Sequence, residues 1–203
     1  MLDARLRPLI DPPLNRMGRV LADAGIGPNT VTLTGFAIGL CAAIAIAAGY
    51  SLIGLVLIAL NRIADGLDGA VARATRKTDL GGYLDITLDF FFYGAIPLAF
   101  ALQNPAANAL AAAALLASFY ANGSAFLAFA IMAEKNRLST TEQGSKSLYY
   151  IGGLAEGTET IALFLLMALL PGWFPALAWG FAAICFVSAG ARVLIGIKAL
   201  QEP

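Results

Sequence analysis

Six runs of about 20 mostly apolar residues, at 30–50, 52–73, 79–102, 107–133, 148–170 and 174–198, dominate this chain, and each is long enough to cross the hydrocarbon core of a bilayer as a helix. In lipid every backbone N–H and C=O must be satisfied inside the segment, so a succession of such runs folds as a helical bundle. The expected fold is an all-α integral membrane domain of six transmembrane helices over 29–203, with a juxtamembrane segment at 1–28. Composition agrees: 13% of the residues are charged, about half the share in an ordinary soluble domain. No cleavable signal peptide is expected, because charges interrupt the N-terminal residues throughout.

In "MLDARLRPLIDPPLNRMGRVLADAGIG", Leu2, Leu6, Leu9, Leu14, Met17 and Leu21 recur at helical spacing, with Arg5, Arg7, Arg16 and Arg19 between them. That pattern suits an amphipathic helix lying on the membrane surface and broken near Pro12 and Pro13. A cytosolic helix packed on the membrane domain gives the same pattern. The breaks at Gly49-Tyr50-Ser51, Gln103-Asn104-Pro105 and Pro171 to Pro175 carry turn chemistry and no charge. Lysines and arginines fall in the N-terminal segment, the 73–77 turn, the 134–148 loop or the adjoining half-helices, which puts both termini and those loops in the cytoplasm, for a bacterial protein at the inner membrane. A formal net charge of zero leaves no global nucleic-acid footprint, and the absence of histidine excludes imidazole zinc sites and histidine acid–base chemistry. Cys41 and Cys185, both in apolar runs, read as buried, inert thiols. Gly35 with Gly39, and Gly153 with Gly157, have the spacing that permits close helix packing.

Against this background the stretch "DGLDGAVARATRKTDLGGYLDITLD", residues 65–89, stands out. A carboxylate within a bilayer is costly, and a cluster of them marks a functional site. Asp65 and Asp68 are three residues apart and Asp85 and Asp89 four apart, so each pair shares one face of a helix. The polar turn between them makes a hairpin on which the faces converge. Four facing carboxylates repel unless a cation sits among them, and oxygen-only ligands select a hard divalent ion, Mg²⁺ or Mn²⁺, one or two of them. Such ions clamp phosphates. Gly69 and Gly82 either admit a ligand to the backbone or permit helix packing. Arg73 either contacts phosphate or marks the cytoplasmic boundary.

The pattern Asp65-x2-Asp68-Gly69-x2-Ala72-Arg73-x8-Gly82-x3-Asp85-x3-Asp89 resembles, at every fixed position and spacing, the signature of the CDP-alcohol phosphotransferase family. The six-span layout and the approach to the first span, "PNTVT" with Asn29 and Thr32, are also similar to that family, although Asn29 and Thr32 equally suit helix caps. The resemblance implies transfer of a phosphatidyl or related group from a CDP-linked lipid such as CDP-diacylglycerol to an alcohol acceptor, with release of CMP, by a homodimer. It implies that Asp65, Asp68 and Asp85 hold two metal ions, and that Asp89 shares one of them and is the general base for the acceptor hydroxyl. Asn29, Thr32, Gly69, Ala72, Arg73, Thr78 and Gly82 would form the CDP-lipid pocket.

The acceptor is less legible. Family members that make phosphatidylglycerophosphate or cardiolipin commonly carry Asp-Pro-x-Ala-Asp-Lys around the last two aspartates, where this chain has "DITLDF". "LDITLDFFFYGAIP" is loosely similar to bacterial phosphatidylserine synthases, and the reading leans to an amino-alcohol such as serine. A phosphatidylglycerophosphate- or phosphatidylinositol-phosphate-type synthase is the alternative, with Lys135, Arg137, Lys146 and Arg192 available for a basic pocket or simply following the positive-inside rule. Glu156 and Glu159 share a face of the fifth run, about 12–17 Å into it at 1.5 Å per residue. They are either acceptor-pocket residues or groups tied to nearby hydroxyls and backbone. A divalent-cation transporter or an intramembrane prenyltransferase would also place acids in its spans, without this glycine and arginine spacing.

Overall fold

The computed structural model describes residues 2–136 and 157–201. Among them the chain is helical throughout: α1 (Leu2–Asp23), α2 (Pro28–Ala47), α3 (Ser51–Ala74), α4 (Asp79–Gln103), α5 (Pro105–Lys135), α6 (Gly157–Leu169), a single 3₁₀ turn (Pro171–Trp173) and α7 (Phe174–Gln201). The ends follow local chemistry. α1 and α2 each run into a glycine with positive φ, Gly25 at 78° and Gly49 at 91°. At the second, Gly49 N donates to Ile46 O at 2.9 Å and Tyr50 N to Ala45 O at 2.8 Å, the paired bonds of a Schellman stop that glycine permits without steric cost. α4 opens on Thr78, whose hydroxyl oxygen accepts from Gly81 N, and α5 on Asn104, whose side chain accepts from Ala107 N, with Pro105 in the first turn.

Four of these segments are long and apolar enough to cross a membrane: 28–47, 79–103, 105–135 and 171–201. α3 has 24 residues but carries Arg62, Asp65, Asp68 and Arg73, and the described part of α6 has 13. The core joins α2 to α7 through Ile46, Ile58, Phe92, Ile96, Leu115, Phe164 and Phe174, all buried, with Phe100 stacked on Phe174 at 4.6 Å. Helices approach closely where a side chain is missing. A Cβ at Gly35 would meet Ala64 Cβ at 2.9 Å, and one at Gly39 would meet the Phe92 ring at 2.7 Å. Gly153 lies outside the described residues.

Two expectations need correction. α1 is continuous through Pro12 and Pro13: each proline removes one backbone donor, but its fixed φ is itself helical. The helix is also held from outside, because it packs on α3. A Cβ at Gly18 would lie 2.7 Å from Ala70 Cβ, and one at Gly66 would lie 2.7 Å from a Leu14 methyl. Of the two cysteines, Cys185 is buried and Cys41 exposed. An apolar run in a bundle offers one face to the core and another to the outside, so apolarity alone does not place a thiol inside.

Candidate active site

The α3–α4 hairpin brings the acids together. One carboxylate oxygen each from Asp65, Asp68 and Asp85 lie within 4.8 Å of one another, with Asp68 buried, Asp65 half-buried and Asp85 exposed. Asp65 and Asp68 are one turn apart on α3, and Asp85 faces them across the turn from α4. Thr32 of α2 completes the corner, its Oγ1 donating to Asp68 Oδ2 at 2.7 Å. Thr32 also lies 3.0 Å from Pro28 O, and with one hydroxyl hydrogen the shorter, charge-assisted bond is the stronger. Three convergent carboxylates with a hydroxyl bracing one of them fit a hard divalent ion. The small cleft between them is also lined by Gly35, Asn61, Arg62 and Asp89.

Asp89 pairs with an arginine of α3. Its Oδ1 accepts from Arg62 Nη2 at 2.9 Å, and Arg62 Nη1 lies 3.6 Å from Asp65 Oδ2. Arg62 is also anchored from behind: Nε donates to Asn61 Oδ1 at 2.8 Å, and Asn61 Nδ2 to Gly35 O at 2.8 Å. Its guanidinium carbon sits 4.7 Å from the Phe92 ring centre and 5.9 Å from that of Tyr93. Sequence reading missed both Asn61 and Arg62, counting the arginine among the charges of the cytoplasmic half-helices. The available signal was position: Arg62 is near the middle of α3, where a membrane helix carries an arginine only with a partner.

Of the residues assigned to the CDP pocket, Thr32 lines this cleft. Among the described residues, the region where a Cβ at Gly82 would go has nothing within 4 Å, and at Gly69 only the end of Arg73 lies near, at 3.4 Å. Among the described residues, neither glycine packs against another helix. Asn29 and Thr32 do not cap α2, which starts from Gly27 without a side-chain cap; Asn29 Oδ1 is buried with no hydrogen-bond partner among the described residues. Thr78 is the cap of α4. Arg73 is exposed and donates through Nε and Nη2 to Asn15 Oδ1 of α1, at 3.0 and 2.8 Å. Ala72 is half-buried on α3.

A second, larger cavity of about 510 Å³ opens one turn further along α4, lined by Phe90, Tyr93, Phe119, Gly123, Phe126, Thr160 and Arg192 among others. Arg192 is 6% exposed, with its guanidinium 5.3 Å from the Phe126 ring centre. Glu159 lies in the first turn of α6, with a buried Oε2 that has no hydrogen-bond partner among the described residues. Lys135 is exposed at the end of α5. Arg137, Lys146 and Glu156 lie outside the described residues.

Comparison with known proteins bears on family and fold. The chain is 50% identical over its whole length to the inner membrane protein YnjF of Escherichia coli (strain K12), the match covering 100% of both. It is 40% identical to the archaetidylinositol phosphate synthase of Pyrococcus horikoshii, over 42% of this chain and 46% of that one. In fold it is similar to the phosphatidylinositol phosphate synthase PgsA1 of Mycobacterium tuberculosis. The structure with CDP-DAG bound aligns at a TM-score of 0.73 and 20% identity, covering 90% of this chain and 92% of that one. The same enzyme in complex with manganese and citrate aligns at 0.73, also at 20% identity, covering 91% and 88%. The model of the family described as CDP-alcohol phosphatidyltransferase matches residues 26–191, so the aspartate hairpin sits in a chain that belongs to that family of membrane enzymes.

Proposed function

We propose that this protein transfers a phosphatidyl group, or a closely related one, from a CDP-linked lipid to an alcohol and releases CMP. The observation that carries the reading is the meeting of Asp65, Asp68 and Asp85 within 4.8 Å beside two glycines that leave their surroundings open. A divalent ion held by these three aspartates would neutralise the pyrophosphate and stabilise the departing CMP. The acceptor oxygen attacks the phosphorus bearing the diacylglycerol, the bond from that phosphorus to the oxygen of CMP breaks, and the hydroxyl proton passes to Asp89. Asp89 is suited to this because Arg62 holds one of its oxygens and orients the other. The backbone at Gly82, open among the described residues, and Asn29 Oδ1, which has no partner among them, are suited to contact the nucleotide.

For the acceptor, a phosphate-bearing polyol replaces serine as the favoured class. Two considerations support it: the inositol-phosphate synthases among the relatives and structural neighbours, and the buried Arg192 in a cavity that begins next to Asp89 at Phe90. A desolvated guanidinium is suited to a phosphate and ill suited to the ammonium of serine. The proposed setting is six spans in a bacterial inner membrane, with the hairpin turn and termini cytoplasmic, where the acyl chains stay in lipid while the nucleotide stays wet.

The test is an acceptor panel. Purified protein with CDP-diacylglycerol and Mn²⁺ is offered inositol phosphate, glycerol 3-phosphate, inositol, glycerol and serine, and product lipids are read by mass spectrometry. Product from a phosphorylated acceptor, with a KM raised at least 10-fold in Arg192→Ala, is expected if a charged hydrogen bond of about 1.5–3 kcal/mol is lost. Serine as the sole acceptor would overturn the choice of acceptor and leave the reaction class standing.

A further inference from the structure

We infer that Arg62 takes the place of a second metal ion: the acid cluster binds one divalent ion, on Asp65, Asp68 and Asp85, and Asp89 is held by the guanidinium. This rests on the metal reading above and changes the number of ions it implies from two to one.

A second ion in this cluster would have to use Asp89 and share a further aspartate with the first. Arg62 already bridges Asp89, at 2.9 Å, and Asp65, at 3.6 Å. Its planar fork offers fixed donors that match two carboxylates at once, and it stays charged throughout the accessible pH range. An ion bound to Asp89 at about 2.1 Å from its oxygen would lie next to that permanent positive charge.

Arg62 is also not arranged as a side chain waiting to swing away. Its side chain is 16% exposed, its third nitrogen is engaged by Asn61, and Asn61 is itself fixed to the α2 backbone at Gly35. The rings of Phe92 and Tyr93 cover the guanidinium and stabilise it by cation–π attraction. Leaving would break these contacts together and strand a charge inside the bundle. The cluster therefore carries a built-in cation on its Asp89 side and has room for an exchangeable one on its Asp68 side.

This makes Arg62 a positioning residue for Asp89, and the number of bound ions reads it out independently of turnover. Mn²⁺ bound per chain is counted by titration calorimetry and by metal analysis of the purified full-length protein, with and without CDP-diacylglycerol. One ion is expected in both conditions. Asp89→Asn should keep one ion with unchanged affinity, Asp68→Asn should lose it, and Arg62→Gln should gain a second. Two ions in the unaltered protein, loss of an ion in Asp89→Asn, or a single ion in a folded Arg62→Gln would each overturn the inference. The Asp89→Asn arm stands alone if Arg62→Gln does not fold. No Mn²⁺ binding in any form would instead overturn the metal reading on which the inference rests.

Discussion

Thr32 illustrates how a residue's role changes once its partner is known. The sequence motif assigns it to the nucleotide pocket, yet its hydroxyl braces Asp68 from a position 36 residues away. Groups that hold metal ligands in place commonly contribute 10- to 100-fold to metal affinity. Thr32→Val should therefore weaken Mn²⁺ binding by about that factor, Thr32→Ser should restore it, and the helical circular dichroism should stay constant in both. An unchanged Mn²⁺ affinity in Thr32→Val would show that Asp68 needs no support. The four aspartates were legible because a carboxylate in an apolar span always asks for an explanation. Arg62 was passed over because it was counted with the charges of the cytoplasmic half-helix, although it sits near the middle of α3, and its significance comes from a partner on α4, 27 residues on at Asp89. No local pattern announces such a pair.

At the scale of elements, the glycines separate into two groups that look alike in sequence. Gly35 faces Ala64 with no room for a methyl, while nothing among the described residues lies within 4 Å of the position a Cβ would take at Gly82. Gly35→Val should lower stability by about 1–3 kcal/mol, the usual cost of overpacking, seen as an earlier thermal midpoint in detergent. Gly82→Ala should leave that midpoint in place and raise the KM for CDP-diacylglycerol. The reverse assignment of these two phenotypes would contradict the packing described here. Helix limits were largely readable, since Thr78, Asn104-Pro105 and Gly49 are strong local stop and start signals. Pro12-Pro13 gave a false stop because tertiary support from α3, through Leu14 and Gly18, outweighs two missing hydrogen bonds.

For the whole molecule, the strict separation of charged and uncharged connections implies one orientation. In a Cys41→Ser background, Tyr50→Cys, in an exposed turn, should react with a membrane-impermeant maleimide added outside intact cells. Thr75→Cys, in the charged turn after α3, should react only after permeabilisation. Labelling of both from one side would overturn the topology. The acceptor stayed illegible for a reason that belongs to this scale. The larger cavity draws Phe90 and Tyr93 from α4, Phe119 and Gly123 from α5, Thr160 from α6 and Arg192 from α7. Residues so dispersed form no motif, whereas the aspartate cluster falls within one hairpin.

The most direct test of the account is CMP release from CDP-diacylglycerol by the purified protein, in the presence of its best acceptor. The sample is stripped with EDTA, resupplied with Mn²⁺, and compared with Asp85→Asn. The account predicts release that disappears on stripping, returns with Mn²⁺ and is lost in Asp85→Asn. Release that persists without a divalent ion, or survives in a folded Asp85→Asn, would contradict the claim that the aspartate hairpin is the catalytic centre.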